Sequence, residues 1–334
     1  MGQSDRIAEE CPDWLQVPPE IAALIRKGSG DSLRPMESLR DAIDFIGGPS
    51  SLAILAAVYF GLVIAERLWA IRGNPAYDNR DALNSIGLNL MSSVLNLLLG
   101  LLIPLALYVL VYENFRLFDA IPLWLGIPIA FLAHEFAYYW DHRLNHRVGL
   151  LWAFHAIHHS SNEFNHSTAA RGFFLDGQMK KLLSLIPAAI GIDPVLFIAV
   201  SVCTNAFGIW NHASYVPRLG WLDRVLMTPK MHKVHHANQP QYIDKNYSQV
   251  TLLFDRLFGT TAYLGEEPNP GLVKPVYDYN PLTAQFAGLK QLKARMEEAE
   301  RWQDKLAYLW RPPEWSHDGR CRSDCPKYAR LEPA

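Results

Sequence analysis

Two stretches of this chain carry no charged residue, one from Phe45 to Ala65 and the other from Ala82 to Tyr112. About 20 apolar residues in a helix cross the hydrocarbon core of a bilayer. Inside lipid, only a helix or a closed barrel satisfies the backbone polar groups. SLAILAAVYFGLVIA and LNLMSSVLNLLLGLLIPLALYVLVY are therefore expected to be transmembrane helices. A third apolar run, from Ile121 to Ala133, continues into HEFAYYWDH. It reads as a helix leaving the bilayer, with Tyr138, Tyr139 and Trp140 at the interface, where aromatic rings are favoured. A fourth, Leu182 to Trp210, is interrupted by Asp193-Pro194 and reads as two half-length helices around a turn. Ser38 to Ile46 has the pattern of a short amphipathic helix on a membrane surface. The expected fold class is all-α: a multi-pass helical bundle in the membrane.

Composition narrows the partners. The chain has 334 residues, 31 basic and 33 acidic, with a net charge of −2. Its 50% hydrophobic content excludes a disordered chain. No net positive charge is available to follow phosphates, so nucleic acid is not an expected partner. Membrane lipids are. Four cysteines, at 11, 203, 321 and 325, are too few and too scattered for a disulfide framework. Cys321 and Cys325 read as reduced thiols. Residues 1–44 carry charges throughout, without the apolar core of a signal peptide. Arg67, Arg72 and Arg80 follow the first span, and the positive-inside rule puts that side, with the end of the third helix, in the cytoplasm.

Eleven of the 12 histidines lie between His134 and His236. His142 and His146 form HxxxH. His155, His158 and His159 form one HxxHH, and His232, His235 and His236 form another. On a helix, positions i, i+3 and i+4 share one face, and adjacent residues splay by about 100°. Each HxxHH can thus serve two ions a few ångströms apart. Eight imidazoles are too many for one ion and suit two. So many polar rings beside a membrane need partners. His134, eight residues before His142, is a further candidate ligand. His166 and His317 read as ordinary satisfied histidines. No cysteine sits among the histidines, as structural zinc would favour. An all-histidine pair of ions against a membrane points to oxygen chemistry at iron, with two iron ions as cofactor and O2 as co-substrate. Glu135, Asp141, Glu163, Asp176 and Asn211 are candidates to orient the imidazoles from behind.

These residues resemble the fatty acid hydroxylase, or sterol desaturase, superfamily of membrane di-iron enzymes. The likeness runs from about Tyr138 to Thr260. It rests on YYWDHRLNH, on GLLWAFHAIHHSSNEFNHSTAAR, on NHASYVPRLGWLD and on TPKMHKVHHANQPQYIDKNYSQVTLLFDRLFGT. WAFHAIHHSS followed by STAAR looks most like the alkylglycerol monooxygenase branch, which cleaves ether lipids. His166, Ser248 and Phe254 depart from the pattern. The resemblance implies iron ligation by His142, His146, His155, His158, His159, His232, His235 and His236, with His212 as a ninth ligand. It implies a long apolar or sterol-like substrate, entering near Trp140, Trp152 and Trp210. Electrons would come from a separate protein, since no cytochrome b5-like HPGG segment is present.

The expected organisation is an N-terminal polar or amphipathic segment (1–44), a catalytic membrane domain (45–265) and a C-terminal segment (266–334). In the last, Gln285 to Trp310 shows one apolar helical face. The expected reaction is O2-dependent hydroxylation of an unactivated C–H bond in a lipid-like substrate. Desaturation is the alternative inside the family, and plain metal binding or transport the alternative outside it. A zinc hydrolase would need HExxH, and His134-Glu135 has no histidine at the required place.

Overall fold

The computed structural model describes residues 39–71, 77–98, 103–273 and 278–319. Helices dominate, and the described residues contain isolated β-bridges but no strand. Four helices begin the chain: α1 (Leu39–Gly47), α2 (Ser51–Ile71), α3 (Asn79–Leu98) and α4 (Ile103–Phe115). Next come α5 (Leu123–Arg147), α6 (Gly149–His155), α7 (Gln178–Leu183), α8 (Leu185–Ile190) and α9 (Pro194–Trp210). Finally come α10 (Pro229–His235), α11 (Leu253–Leu257), α12 (Pro281–Ala284), α13 (Ala287–Glu298) and α14 (Trp302–Trp310). Short 3-10 turns cover His158–Ser160, His166–Ala170 and Gly220–Arg224.

Among the described residues, α2 is the one helix both long and apolar enough to cross a membrane. Its 21 residues span about 30 Å, the thickness of the hydrocarbon core. Leu52, Phe60, Ile64 and Leu68 stand exposed along it. The second uncharged stretch does not form one continuous described helix. Its described parts are α3 and α4, and residues 99–102 between them lie outside the described residues. α3 carries a polar face. Asp81, Asn84 and Ser85 are buried at its start, and Ser92 donates to the Gly172 carbonyl at 2.7 Å. A helix with that polar face packs on protein along one side, however apolar its other side is.

The Asp193-Pro194 break is present. Asp193 caps α9 by accepting from the Leu196 N–H at 3.0 Å, and Pro194 takes the first helical turn, where its missing N–H costs nothing. The residues with the amphipathic pattern form α1, which packs on α9. Gly47 lets it approach the α9 backbone at Val195, where any Cβ would collide. Tyr139 departs from expectation: its ring is fully buried on Phe258, and its hydroxyl lies 3.1 Å from Thr260. It is a core residue, not an interfacial anchor. The C-terminal apolar face is split between α13 and α14. Leu292, Ala299 and Tyr308 cluster with Ala153 of α6, so this segment covers the histidine-bearing part of the molecule. Cys11, Cys321 and Cys325 fall outside the described residues.

Candidate metal centre

Nine histidines converge in two groups. His142, His146, His155, His159 and His235 form the first, and His158, His212, His232 and His236 the second. Within each group the ligand nitrogens all lie within 4.8 Å of one another. The groups adjoin, with the rings of His159 and His236 stacked at 4.4 Å. Local structure explains the division. His142 and His146 are one turn apart at the end of α5. HAIHH does not continue as α-helix: His155 ends α6, and His158 and His159 sit on a 3-10 turn. HKVHH lies on α10, with His236 as its C-terminal cap. In both triplets the adjacent pair is shared between the groups.

The hydrogen bonds prepare these rings as ligands. Nδ1–H donates to a backbone carbonyl from His142 (Tyr247, 2.8 Å), His158 (Arg171, 3.0 Å), His212 (Gly208, 3.0 Å) and His235 (Lys245, 2.8 Å). His155 Nδ1–H donates to Asp176 at 2.8 Å. In a neutral imidazole this leaves Nε2 with a lone pair. Nε2 of His142, His155 and His235 is buried without a hydrogen-bond partner, a costly state unless a cation meets it. His212 Nε2 lies 3.2 Å from His232 Nε2, which lies 3.2 Å from His236 Nε2. One proton on His232 can serve one of these contacts; a shared cation serves both. With metal–imidazole bonds of about 2.1 Å, ligands at right angles sit about 3.0 Å apart. The donor set therefore fits transition-metal ions.

Electrostatics agree. Burial and the surrounding imidazoles hold His158, His159, His232, His235 and His236 well below the usual histidine range. Burial takes His212 down to about 3. Neutral imidazole is the form that binds metal. Burial works against the Asp176 carboxylate, yet the facing His155 and His158 hold its pKa below the ordinary value.

His134 is not in either group. It is buried on α5 between Ser201 (3.1 Å) and Gln249 (3.0 Å). His166 bonds the Ile209 carbonyl and faces Tyr215, and His317 faces Tyr308. Of the five residues expected behind the imidazoles, Asp176 touches one directly. Asp141 stands one step back, accepting from Asn145, which also donates to Asp176. Glu135 instead accepts from the N–H groups of Val250 and Thr251. Asn211 donates to the Gln249 carbonyl. Glu163 makes backbone bonds with Ser161. Trp152 lies 5.1 Å from His146, so it belongs to the site and not to an interfacial belt.

Other residues hold the rings without having shown themselves in the sequence. The DKNY segment is a turn in which Asp244 and Asn246 take positive φ (60° and 58°), a conformation costly for most side chains. It aims the Lys245 and Tyr247 carbonyls at His235 and His142. Asp255 of DRLFGT fixes the turn by accepting from the Tyr247 and Ser248 N–H groups. Asp244 stands 3.7 Å from His146, too far for a hydrogen bond, and pairs with Arg147 at 2.6 Å. Glu66, near the end of α2, accepts from the His166 N–H, the Ser214 N–H and the Ser214 hydroxyl, tying that helix to the loop after His212.

The sequence is similar to those of known proteins. The fatty acid hydroxylase family model matches residues 127–260. The chain is 33% identical over 270 residues to an alkylglycerol monooxygenase of Danio rerio, covering 78% of this chain and 59% of that protein. It is 30% identical over 290 residues to the alkylglycerol monooxygenase of Homo sapiens, covering 85% and 64%. With an ornithine lipid hydroxylase of Rhizobium tropici it shares 27% identity over 219 residues, covering 63% and 64%. The chain thus spans about three-fifths of the length of these relatives. No solved structure matches it. The matched region contains all nine converging histidines, and this chain is similar to the fatty acid hydroxylase family and, within it, to alkylglycerol monooxygenases.

Proposed function

We propose that this protein is an O2-dependent di-iron oxygenase that hydroxylates an unactivated C–H bond of a lipid-like substrate. The observation that carries the reading is the convergence of nine buried histidines in two adjoining groups with their lone pairs turned inward. His142, His146, His155, His159 and His235 would hold one iron, and His158, His212, His232 and His236 the other. Two irons supply the activation of O2 when bound. The chain's own residues orient the ligands through Asp176 and the carbonyls of Arg171, Gly208, Lys245 and Tyr247. They also bury the rings: each of the nine imidazoles is less than a tenth exposed. The relatives' names, alkylglycerol monooxygenase and ornithine lipid hydroxylase, support a lipid substrate.

The exposed apolar side chains of α2 and α4 support a multi-pass membrane protein, and Arg67, Arg72 and Arg80 after the first span favour a histidine cap on the cytoplasmic side. Electrons would come from a separate carrier protein. The test is to purify the full chain in detergent, measure iron, and supply O2, a reductant system and candidate lipids. The expected results are two irons per chain and a product heavier by one oxygen. A product lighter by two hydrogens would identify a desaturase. Iron-free protein, or turnover that survives His158→Ala, would end the reading.

A further inference from the structure

The loop after His212 and the segment after Tyr247 meet at the surface and carry an apolar patch. The Leu252 N–H donates to the Val225 carbonyl at 2.9 Å. Arg256 of α11 donates to the Arg224 carbonyl, and to the Tyr263 hydroxyl at 3.3 Å. These bonds set Trp221 and Val225 beside Leu253 and Leu257, which are one turn apart on α11. All four are exposed, Trp221 to 71% and Leu257 to 68%. A single exposed apolar side chain is ordinary, but four together, one of them tryptophan, mark a surface that meets something other than water. None of them lines the cavity of about 560 Å3 that α13 closes over the histidine groups.

Charge is sorted across this patch. Its acids turn inward. Asp223 accepts from the Leu219 N–H at 2.9 Å and from the Thr228 hydroxyl at 2.6 Å. Asp255 is buried and accepts from the Tyr247 and Ser248 N–H groups. Its bases, Arg224 and Arg256, are exposed. The outer surface is thus apolar and cationic and holds a tryptophan, a composition suited to the headgroup layer of a bilayer.

The height of the patch along α5 agrees. Leu132, Phe136 and Trp140 are spaced four residues apart and form one stripe of α5. Leu132 is exposed. Phe136 and Trp140 are partly covered by the α11 segment, with Phe254 5.6 Å from Phe136 and Phe258 5.1 Å from Trp140. From Leu132 to Phe136 the helix rises about 6 Å. A headgroup layer is about 5–7 Å deep on each side of the hydrocarbon core. α11 therefore packs where the apolar run of α5, ending at Ala133, gives way to polar sequence.

We propose that the Gly220–Arg224 turn and α11 form an interfacial anchor. Trp221, Val225, Leu253 and Leu257 enter the edge of the acyl layer, and Arg224 and Arg256 meet lipid phosphates. The inference rests on the membrane reading above and adds a contact with the lipid surface that no spanning helix makes. The anchor holds the cap near its metal ligands, because Asp255 of α11 fixes the turn whose Tyr247 carbonyl receives the His142 proton.

Spin labels test it on the full chain, its four cysteines replaced by serine, in nanodiscs of phosphatidylcholine and phosphatidylserine. Leu253→Cys and Leu257→Cys carry the label on the patch. Lys293→Cys, on an exposed face of α13, is the water reference, and Ile64→Cys, on α2, the bilayer reference. Collision with a water-soluble nickel chelate is expected to be at least about fivefold lower at 253 and 257 than at 293, as for an apolar face sunk into the headgroup boundary. A second measurement leaves the cysteines in place. Lipids brominated near the headgroup are expected to quench the tryptophan emission of the native chain more than that of Trp221→Phe. Nickel access at 253 and 257 equal to that at 293, or equal quenching of the native chain and Trp221→Phe, would overturn the proposal in favour of a protein partner. Failure of the membrane reading shows separately, as nickel access at 64 equal to that at 293.

Discussion

Asp176 accepts the Nδ1 proton of His155 across 2.8 Å, and Asn145 holds the same carboxylate at 3.0 Å. The pair fixes the tautomer and the orientation of the ring, and the negative charge raises its basicity as a ligand. Asp176→Asn keeps the shape and removes the charge. Iron affinity is expected to fall by about 10–100-fold. Competition with a chelator of known affinity measures it, and an unchanged affinity would show that Asp176 has no hold on the metal.

The two groups make separable predictions. His146→Ala removes a ring from the five-histidine group and His232→Ala one from the four-histidine group. Each variant is expected to lose roughly half the iron and fall at least about 100-fold in turnover, the upper range for loss of a metal-site partner. His134→Gln should keep the full iron content, because His134 bonds Ser201 and Gln249 and lies outside both groups. Metal analysis of the three purified variants decides between this division and a ligand set that includes His134.

A buried ion pair supports His158. Arg171, whose carbonyl receives the His158 proton, donates to Asp81 of α3 at 2.7 Å, and Ser161 donates to the other oxygen of Asp81. Both charged side chains are under a tenth exposed. Removing one member of such a pair leaves a buried charge uncompensated and costs about 3–5 kcal/mol. Asp81→Ala is expected to lower the midpoint of thermal unfolding in detergent and to weaken iron binding with it. A midpoint at the wild-type value would mean the pair carries no weight.

Glu163 gives a pH dependence. Burial and the nearby Asp81 and Asp78 raise its pKa from the ordinary carboxylic value to about 7. The folded protein therefore binds a proton that the unfolded chain releases near pH 4.5. Stability from this group is full below that value and is lost as pH rises toward 7. Glu163→Gln mimics the protonated form. Its stability relative to wild type should grow between pH 5 and pH 7 and stay level above, in parallel denaturation curves. A difference that does not vary with pH would refute this account of Glu163.

Much of the site was legible because metal ligation demands particular residue types at particular spacings. The HxxxH and the two HxxHH groups announce themselves in a linear chain. His134 was misleading for a physical reason: helical spacing reports a shared face, but not what that face meets. Ser201 and Gln249, far away in sequence, meet it instead. The residues that orient the rings were hidden for a related reason. Most are backbone carbonyls, at Arg171, Gly208, Lys245 and Tyr247, and any residue type supplies a carbonyl. Asp244 stood in a recognisable DKNY, but its value depends on a left-handed turn that no residue pattern alone specifies.

The uncharged segments had the same mixed outcome. Hydropathy identified α2, whose apolar side chains remain exposed. In the stretch from Ala82 to Tyr112 it did not reveal that tertiary packing uses the polar residues of α3 against Arg171 and Gly172. By itself, the sequence determined that this chain is helical, that it carries an apolar span and that it gathers imidazoles. These properties follow from local chemistry and period. Tertiary structure decided which nine histidines meet, how they divide in two, and that α13 closes a cavity over them. Those outcomes depend on side chains brought together from distant parts of the chain, as His142 and His235 are, and no local pattern encodes such a meeting.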